Sequence, residues 1–190
     1  PDSFAAEIAA DGRLVVYGPN QMPHMLKMIV CGVLGMDPAQ VRAITPQVGG
    51  GFGGKVGLKP EMTAVAAAAK TTGRPVVWVP TRSEDMMALP HGRGQVQYCE
   101  LGCKSDGTFT GVNLNIVGDS GAYPGIGAHL PGGTRRMSLG TYDFPAIRCN
   151  VAVGVTNTTP VGAYRGAGRP EATAMLERLV DHAAHELGID

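Results

Sequence analysis

A glycine-rich run in the first third of the chain, QVGGGFGGKVGLKPEM (47–62), constrains the fold more than any other feature of the sequence. Five of the six residues from Gly49 to Gly54 are glycine, and the exception is the large aromatic Phe52. Glycine loses more conformational freedom on folding than any other residue, which disfavours such a run in a helix or a strand. The run therefore predicts a loop whose bare backbone can approach a bound group closely.

The overall composition indicates a folded protein with its own hydrophobic core. Of the 190 residues, 44% are hydrophobic and 17% are charged, and the formal net charge is zero, as in many globular domains. Without a basic stripe or an acidic tail, the chain is not expected to bind nucleic acid. No stretch is typical of a membrane span, and the four cysteines lack the CxxC pairs of a zinc site. We therefore expect a cytoplasmic location, free thiols and no metal held by protein ligands.

Periodic segments on both sides of the glycine run predict an α+β fold, a mixed β-sheet with packed helices. Proline starts and glycine stops predict helices over 23–35, 60–73 and about 170–187, with a short helical turn at 83–90. Strands are predicted at 41–48, 74–82 and 146–157, and within 12–21 a strand is predicted to end near Gly18. Two long strands between 94 and 121 flank the hairpin signal KSDGT. Residues 122–140 are expected to be loop-like, and the first twelve residues are expected to lack a clear partner. Five methionines are expected to fill the core: Met25, Met28, Met36, Met86 and Met87.

The ends of the sequence predict an internal fragment of a longer protein. The last helix stops at ELGID (186–190) with nothing after it. We expect residues 1–190 to be one fragment of a cofactor-binding domain, with possible lobes at 1–90 and 91–190.

The segment GGGFGG (49–54) matches the GxGxxG pattern of dinucleotide-binding proteins, and it lies between a predicted strand and a helix. In that pattern the helix begins at the last glycine, so that its N–H groups face a pyrophosphate. Here Pro60 places the helix start about six residues late, and no acidic residue lies at 63–82 to bind a ribose. A dinucleotide-binding module of an unrelated dehydrogenase stays as an alternative.

The segment GGGFGGK (49–55) also has the form of a P-loop up to its last position. Val56 stands where that motif requires a serine or threonine to hold magnesium, which disfavours nucleotide hydrolysis. A non-enzymatic structural domain with glycine turns is a further alternative. Phe52 argues against it, because an aromatic within bare backbone suggests a wall beside a ligand.

Three motifs in order along the chain resemble one family. They are GPNQMPH (18–24), QVGGGFGGK (47–55) and GAYRGAGRPE (162–171). Together they resemble the large, molybdenum-binding subunit of the xanthine oxidase and aerobic carbon monoxide dehydrogenase family, in particular its carbon monoxide dehydrogenase-like second form. That subunit is several-fold longer, which again implies an internal fragment.

The resemblance implies a cofactor, partners and an activity for the longer subunit. The cofactor is molybdenum on a pterin, extended as molybdopterin cytosine dinucleotide. The partners are an iron–sulfur small subunit with 2Fe-2S clusters, an FAD-binding medium subunit and the missing remainder of the same subunit. The activity is that of a molybdenum-dependent oxidoreductase, which hydroxylates a small-molecule substrate with oxygen derived from water. The family's glutamate base lies near the far C-terminal end, so the resemblance implies that this fragment alone is inactive.

The resemblance also assigns roles to residues. Gln21 matches a glutamine whose amide hydrogen-bonds an oxygen ligand of the metal, although by itself it could equally cap the helix at Pro23. Phe52 matches a wall of the active site, and Arg165 matches a residue that orients groups near the metal. The implied cofactor-binding residues are Gly51, Phe52, Gly53, Ala163, Tyr164, Arg165 and Gly166.

Two departures from the family pattern bear on the substrate. Purine hydroxylases carry a glutamate directly after the lysine of the glycine run, where this chain has Val56. Copper-containing carbon monoxide dehydrogenases carry a cysteine directly after the AYR arginine, where this chain has Gly166, which has no thiolate. We therefore expect an aldehyde or an aromatic N-heterocycle as substrate rather than xanthine or carbon monoxide. A carbon monoxide dehydrogenase large chain stays as the other possibility.

Overall fold

The structure, a computed structural model, describes residues 2–189. The fragment of a cofactor-binding domain was predicted over residues 1–190, and of these residues 1 and 190 lie outside the described residues. It divides the chain into two units, one ending at Leu89 and the other beginning at Pro90. Each unit contains a sheet with both parallel and antiparallel pairs and helices packed against it. The predicted α+β class is therefore confirmed.

The first unit is built on a four-stranded sheet. Its strands are β1 (Phe4–Ile8), β2 (Leu14–Tyr17), β3 (Val41–Ile44) and β4 (Val76–Trp78), in the order β3-β2-β1-β4. The expectation that the first twelve residues lack a partner was wrong, because β1 pairs antiparallel with both β2 and β4. Phe4 and Ala6 alternate into the core, which is the period of a strand with one buried face. The three other strands are shorter than predicted.

Helices α1 (Pro23–Leu34) and α2 (Pro60–Thr72) begin and end where the sequence predicts. A proline occupies the first turn of each, and Gly35 and Gly73 end them in left-handed conformation with φ of 61° and 65°. Helix α3 (Arg82–Ala88) is the predicted short helical segment and begins with a capping box at Thr81.

The interpretation of the methionines as core residues was wrong for most of them. Met36 packs against the core of the first unit, but Met25, Met28, Met86 and Met87 are exposed. Helix α1 buries one face through Leu26 and Val30, and Met25 and Met28 lie off that face.

The second unit is built on a three-stranded sheet in the order β5-β6-β7. Its elements are β5 (Gln95–Cys103), β6 (Phe109–Asp119), a 3-10 helix (Ile126–His129), α4 (Leu130–Met137), β7 (Ile147–Gly154) and α5 (Arg169–Leu187). The predicted hairpin around KSDGT joins β5 and β6 antiparallel, and β7 runs parallel to β6. The amino-terminal half of α5 packs on this sheet through Met175 and Leu176.

The expectation that 122–140 is loop-like was wrong, because the segment contains helix α4. Two glycines lower its helix propensity, yet Leu130 and Thr134, one turn apart, are both buried. A Cβ atom at Gly133 would lie 2.8 Å from the carbonyl oxygen of Ala167. Close packing against the segment before α5 therefore outweighs the poor local propensity.

None of the helices in residues 2–189 is both long enough and apolar enough to cross a membrane.

Candidate functional site

The glycine run forms a tight turn at its centre. The N–H group of Gly54 donates a 2.8 Å hydrogen bond to the carbonyl oxygen of Gly51. The two residues between them, Phe52 and Gly53, have φ of 49° and 94°, as in a type I′ turn. A positive φ is rare for an aromatic residue. Here it presents the Phe52 ring at the surface, 56% exposed.

Gln21 is fixed against this turn by its side chain and its backbone. Its Oε1 atom accepts a 2.8 Å hydrogen bond from the N–H group of Gly53, and its own N–H group donates to the carbonyl oxygen of Lys55. A Cβ atom at Gly51 would lie 2.3 Å from Oε1 of Gln21. Position 51 must therefore be glycine if Gln21 is to lie where it does.

The alternative that Gln21 caps helix α1 is contradicted by the structure. The N-cap residue of α1 is Met22, whose side chain makes no capping hydrogen bond, and the Met22 N–H group donates to Oδ1 of Asn20 at 2.8 Å rather than to Gln21. Because Oε1 of Gln21 accepts from Gly53, the amide orientation is fixed and Nε2 is the free donor end. Nε2 has no hydrogen-bond acceptor in the described part of the chain, and the side chain is exposed. It offers a neutral donor to a ligand above the turn.

Two residues that the sequence analysis did not single out secure the ends of the glycine loop. Nζ of Lys55 donates to the carbonyl oxygen of Val48. Nδ2 of the buried Asn20 donates to the carbonyl oxygen of Gly57 at 2.6 Å. Their motifs, GPNQMPH and QVGGGFGGK, carried the family resemblance, but nothing in the sequence indicated these contacts. Lys55 holds the loop itself, which differs from the phosphate-binding role of a P-loop lysine.

The second predicted loop, in the second unit, also consists of an unusual turn. The N–H group of Ala167 donates to the carbonyl oxygen of Tyr164 at 2.9 Å. Gly166, Ala167 and Gly168 follow one another with φ of 99°, 48° and 95°, and helix α5 begins at the next residue. Within this loop, Ala163 is half-buried, whereas Tyr164, Arg165 and Gly166 are exposed.

Arg93 lies beneath this second loop, and sequence reasoning missed it. Its guanidinium donates to the carbonyl oxygens of Tyr164 at 3.0 Å and Arg165 at 2.8 Å, and it pairs with the Glu171 carboxylate at 3.2 Å. It also lies over the Tyr164 ring, 4.8 Å from the centroid. More than seventy residues separate Arg93 from its partners. No local sequence pattern could have indicated the pairing.

Glu171, in the first turn of α5, is buried and ties the loop to the helix. Its Oε2 atom accepts from the N–H group of Gly168 at 3.0 Å and from Arg93. Its Oε1 atom is buried without a hydrogen-bond partner among the described residues. This carboxylate already occupies the positive end of the helix, so the start of α5 does not present a phosphate site.

Asp119, at the end of β6, organises a neighbouring loop of the second unit. Its carboxylate accepts hydrogen bonds from the N–H group of Gly121 at 2.8 Å and from the hydroxyls of Thr156 at 2.8 Å and Thr158 at 3.1 Å. The Gly121 N–H group and then these hydroxyls hold the pKa of Asp119 below its usual range.

The donor set indicates what kind of group could bind. Residues 2–189 contain no cluster of histidine, cysteine, aspartate or glutamate that could hold a metal ion. They do present the Nε2 atom of Gln21 and the bare backbone of two turns. Each of these surfaces, taken within its own unit, suits a cofactor that brings its own metal and exposes oxygen acceptors, since such a cofactor needs hydrogen-bond donors from the protein rather than metal ligands.

Comparisons with known proteins agree with a cofactor that brings its own metal. The family model of the molybdopterin cofactor-binding domain matches residues 1–190. The chain is 36% identical to the carbon monoxide dehydrogenase large chain of Hydrogenophaga pseudoflava over 183 residues, 94% of this chain and 23% of the relative. It is 33% identical to the nicotine 6-hydroxylase large subunit of Paenarthrobacter nicotinovorans over 188 residues, 94% of this chain and 22% of the relative.

A solved structure shows the same fold. Quinoline 2-oxidoreductase from Pseudomonas putida 86 superposes with a TM-score of 0.90 at 29% identity, covering 100% of this chain and 25% of that protein's chain. The chain thus spans about a quarter of the length of each of these three proteins.

Proposed function

The chain belongs to the molybdopterin cofactor-binding domain family, and from this we propose that it is an internal part of the large subunit of a molybdenum hydroxylase. The match covers the whole chain and leaves the dinucleotide-binding and purely structural alternatives without support. The observation that carries the proposal is the fixed amide of Gln21 beside a turn of bare backbone. That arrangement suits a cofactor whose oxygen atoms need a neutral donor.

We assign the two loops as cofactor-facing surfaces, each within its own unit. In the first unit, Nε2 of Gln21 donates to the cofactor, Gly51 and Gly53 allow its close approach, and Phe52 forms a wall beside the substrate. In the second unit, the backbone of Ala163, Tyr164 and Gly166 faces the cofactor and Arg165 orients groups near it. When bound, the molybdenum centre supplies the oxygen-transfer and electron-accepting chemistry. The protein's part is to hold that centre and to stabilise charge that develops on it.

The cofactor form and the partners extend the proposal. We assign molybdopterin cytosine dinucleotide as the cofactor, and a 2Fe-2S small subunit and an FAD medium subunit as the electron-accepting partners, in the cytoplasm. The Paenarthrobacter relative is itself a large subunit, which supports an assembly of several chains. Because the chain spans about a quarter of such subunits, we expect residues 1–190 alone to be inactive and to retain no molybdenum. Two partial surfaces leave most of a charged cofactor uncovered.

The substrate we propose is an aldehyde or an aromatic N-heterocycle. Val56 and Gly166 lack the carboxylate and the thiolate that purine and copper sites would need. The names of two matched proteins, a nicotine 6-hydroxylase and a quinoline 2-oxidoreductase, favour an N-heterocycle. Carbon monoxide is the second candidate, because the 36% identical relative is a carbon monoxide dehydrogenase large chain.

The test is to purify the longer parent subunit with its partners and to measure its metals and substrates together. We expect about one molybdenum per large subunit, no stoichiometric copper, and anaerobic dye reduction with an aldehyde or an N-heterocycle. Xanthine as the best substrate would refute the substrate assignment, as would robust oxidation of carbon monoxide. A parent subunit without molybdenum would refute the proposed function itself.

A further inference from the structure

We propose that Arg93 is a positioning residue that turns the Tyr164–Arg165–Gly166 backbone toward the cofactor, an inference that rests on the proposed function. Arg93 itself does not contact the reacting atoms in this scheme. It acts through the loop that it holds, all within the second unit.

The guanidinium of Arg93 binds two consecutive carbonyl groups. It donates to the oxygen of Tyr164 at 3.0 Å through one nitrogen and to the oxygen of Arg165 at 2.8 Å through the other. The Glu171 carboxylate and the Tyr164 ring hold the same group from two further directions. A planar fork with five donors can satisfy this geometry, whereas a lysine ammonium has three donors on a single atom.

These two hydrogen bonds from Arg93 determine the direction of the loop's N–H groups. In a trans peptide the carbonyl oxygen of one residue and the N–H group of the next lie on opposite sides of the C–N bond. Since both carbonyls face Arg93, the N–H groups of Arg165 and Gly166 face away from it. The Gly166 N–H group has no acceptor within residues 2–189. It is therefore a donor held ready for an oxygen atom of a ligand.

The Arg93 guanidinium also makes the Gly166 N–H group a stronger hydrogen-bond donor. A positive charge on the carbonyl side polarises the peptide group, and hydrogen bonds along such a chain reinforce one another. Arg93 thus combines orientation with polarisation at the second loop.

The backbone of Arg93 supports a dedicated role. Its φ of 69° lies in the left-handed region, which is unfavourable for a residue with a Cβ atom. A Cβ atom at the preceding Gly92 would lie 2.7 Å from Cβ of Tyr164. Arg93 is therefore held in a strained conformation in close contact with the loop that it binds, a pattern found where a site requires one geometry.

The experiment uses the full-length subunit in its complex with the partner subunits. The variants are Arg93→Gly, which suits the positive φ, and Arg93→Lys, which keeps the charge. The matched control is Arg136→Lys, an exposed α4 arginine whose side chain makes no hydrogen bond or ion pair with the described residues. For each protein we would measure molybdenum content, the electron paramagnetic resonance spectrum of the reduced centre, kcat and KM. Arg93→Gly is also assayed with added methylguanidinium or methylammonium.

We expect both Arg93 variants to retain molybdenum with an altered resonance spectrum and to lose kcat by about 10²-fold, the scale of a displaced catalytic group. Added methylguanidinium, but not methylammonium, should raise the kcat of Arg93→Gly by at least about 10-fold. The Arg136→Lys control should have the kcat of the parent. The inference is overturned if Arg93→Lys behaves like the parent, if methylammonium rescues equally well, or if Arg93→Gly loses its molybdenum without rescue. A parent without molybdenum would refute the proposed function and this inference together, whereas the other outcomes leave the function standing.

Discussion

The side-chain oxygen of Gln21 accepts a 2.8 Å hydrogen bond from the N–H group of Gly53, a residue 32 positions away. This contact uses the acceptor end of the amide and leaves its donor end toward the outside of the turn. A glutamine held in this way stays neutral at every pH of interest. It can therefore stabilise developing charge without a change in its own protonation.

The first prediction separates the donor of Gln21 from its acceptor. In the full-length enzyme, Gln21→Glu keeps an oxygen for the Gly53 N–H group but loses the outward donor, and Gln21→Met loses both without adding charge. We expect each variant to lower kcat by about 10²-fold while the molybdenum content is unchanged. The measurement is steady-state turnover per bound molybdenum. A Gln21→Glu enzyme that turns over like the parent would show that the donor has no role.

The second prediction concerns the fit between Gly51 and Gln21. A Cβ atom at Gly51 would lie 2.3 Å from Oε1 of Gln21, so Gly51→Ala must displace the amide or open the turn. We expect Gly51→Ala to lower turnover at least as much as Gln21→Met does.

The matched control for Gly51→Ala is Gly32→Ala in helix α1, where the added Cβ would have no described heavy atom within 4 Å apart from its chain neighbours and the backbone of its own helix. Alanine in a helix interior is favoured over glycine by about 0.5–1 kcal/mol, so this control should keep full turnover and unfold at a slightly higher temperature. Equal activity of the two variants would contradict the steric argument.

Local signals predicted much of the first unit. Proline starts and glycine stops predicted both α1 and α2, because chain stereochemistry sets these limits within a few residues. Strand β1 was missed because Ala5, Ala6 and Glu7 are poor strand formers. Its pairing with the adjacent β2 and the distant β4 nevertheless makes this segment a strand. Helix α4 was missed because Gly132 and Gly133 are poor helix formers, although close packing against Ala167 requires glycine at position 133.

The candidate site was predicted only in part. The motif resemblance identified Gln21 and the glycine run, but only the structure shows that the amide of Gln21 binds Gly53 and is not a helix cap. Arg93 could not be found from sequence, since its partners lie 71 to 78 residues later. The roles of Gln21, Phe52 and Arg165 toward a cofactor stay predictions.

The third prediction concerns stability in acid. Hydrogen bonds from the Gly121 N–H group and then from Thr156 lower the pKa of Asp119 from its ordinary value of 3.8. A carboxyl group with a lowered folded pKa stabilises the fold above its unfolded pKa, and that stabilisation is lost as the pH falls through the folded value. We therefore expect Asp119→Asn to lower the unfolding temperature of the chain at pH 7, and the difference from the parent to shrink below about pH 4.

The control for Asp119→Asn is Asp143→Asn, an exposed residue with no hydrogen bond or ion pair to the described residues. The measurement is thermal unfolding followed by circular dichroism between pH 7 and pH 3. If the difference in unfolding temperature between Asp119→Asn and the parent stays constant over this range, the carboxylate charge does not contribute to stability.

The last prediction concerns Gly166 and copper. Gly166 has a φ of 99°, and a Cβ atom there would lie 2.5 Å from the Pro170 ring. The loop is therefore shaped for glycine, and a cysteine cannot occupy this backbone without moving it.

We expect Gly166→Cys in the full-length enzyme to lower turnover of the native substrate and to acquire neither stoichiometric copper nor oxidation of carbon monoxide. Metal analysis and an anaerobic dye assay on the same sample measure both. The control is Gly132→Cys, since the added Cβ there would meet no described heavy atom within 4 Å apart from its chain neighbours and the backbone of its own helix. If Gly166→Cys binds one copper per subunit and oxidises carbon monoxide, the loop is more adaptable than its backbone indicates, and the single residue at 166 decides between the two chemistries.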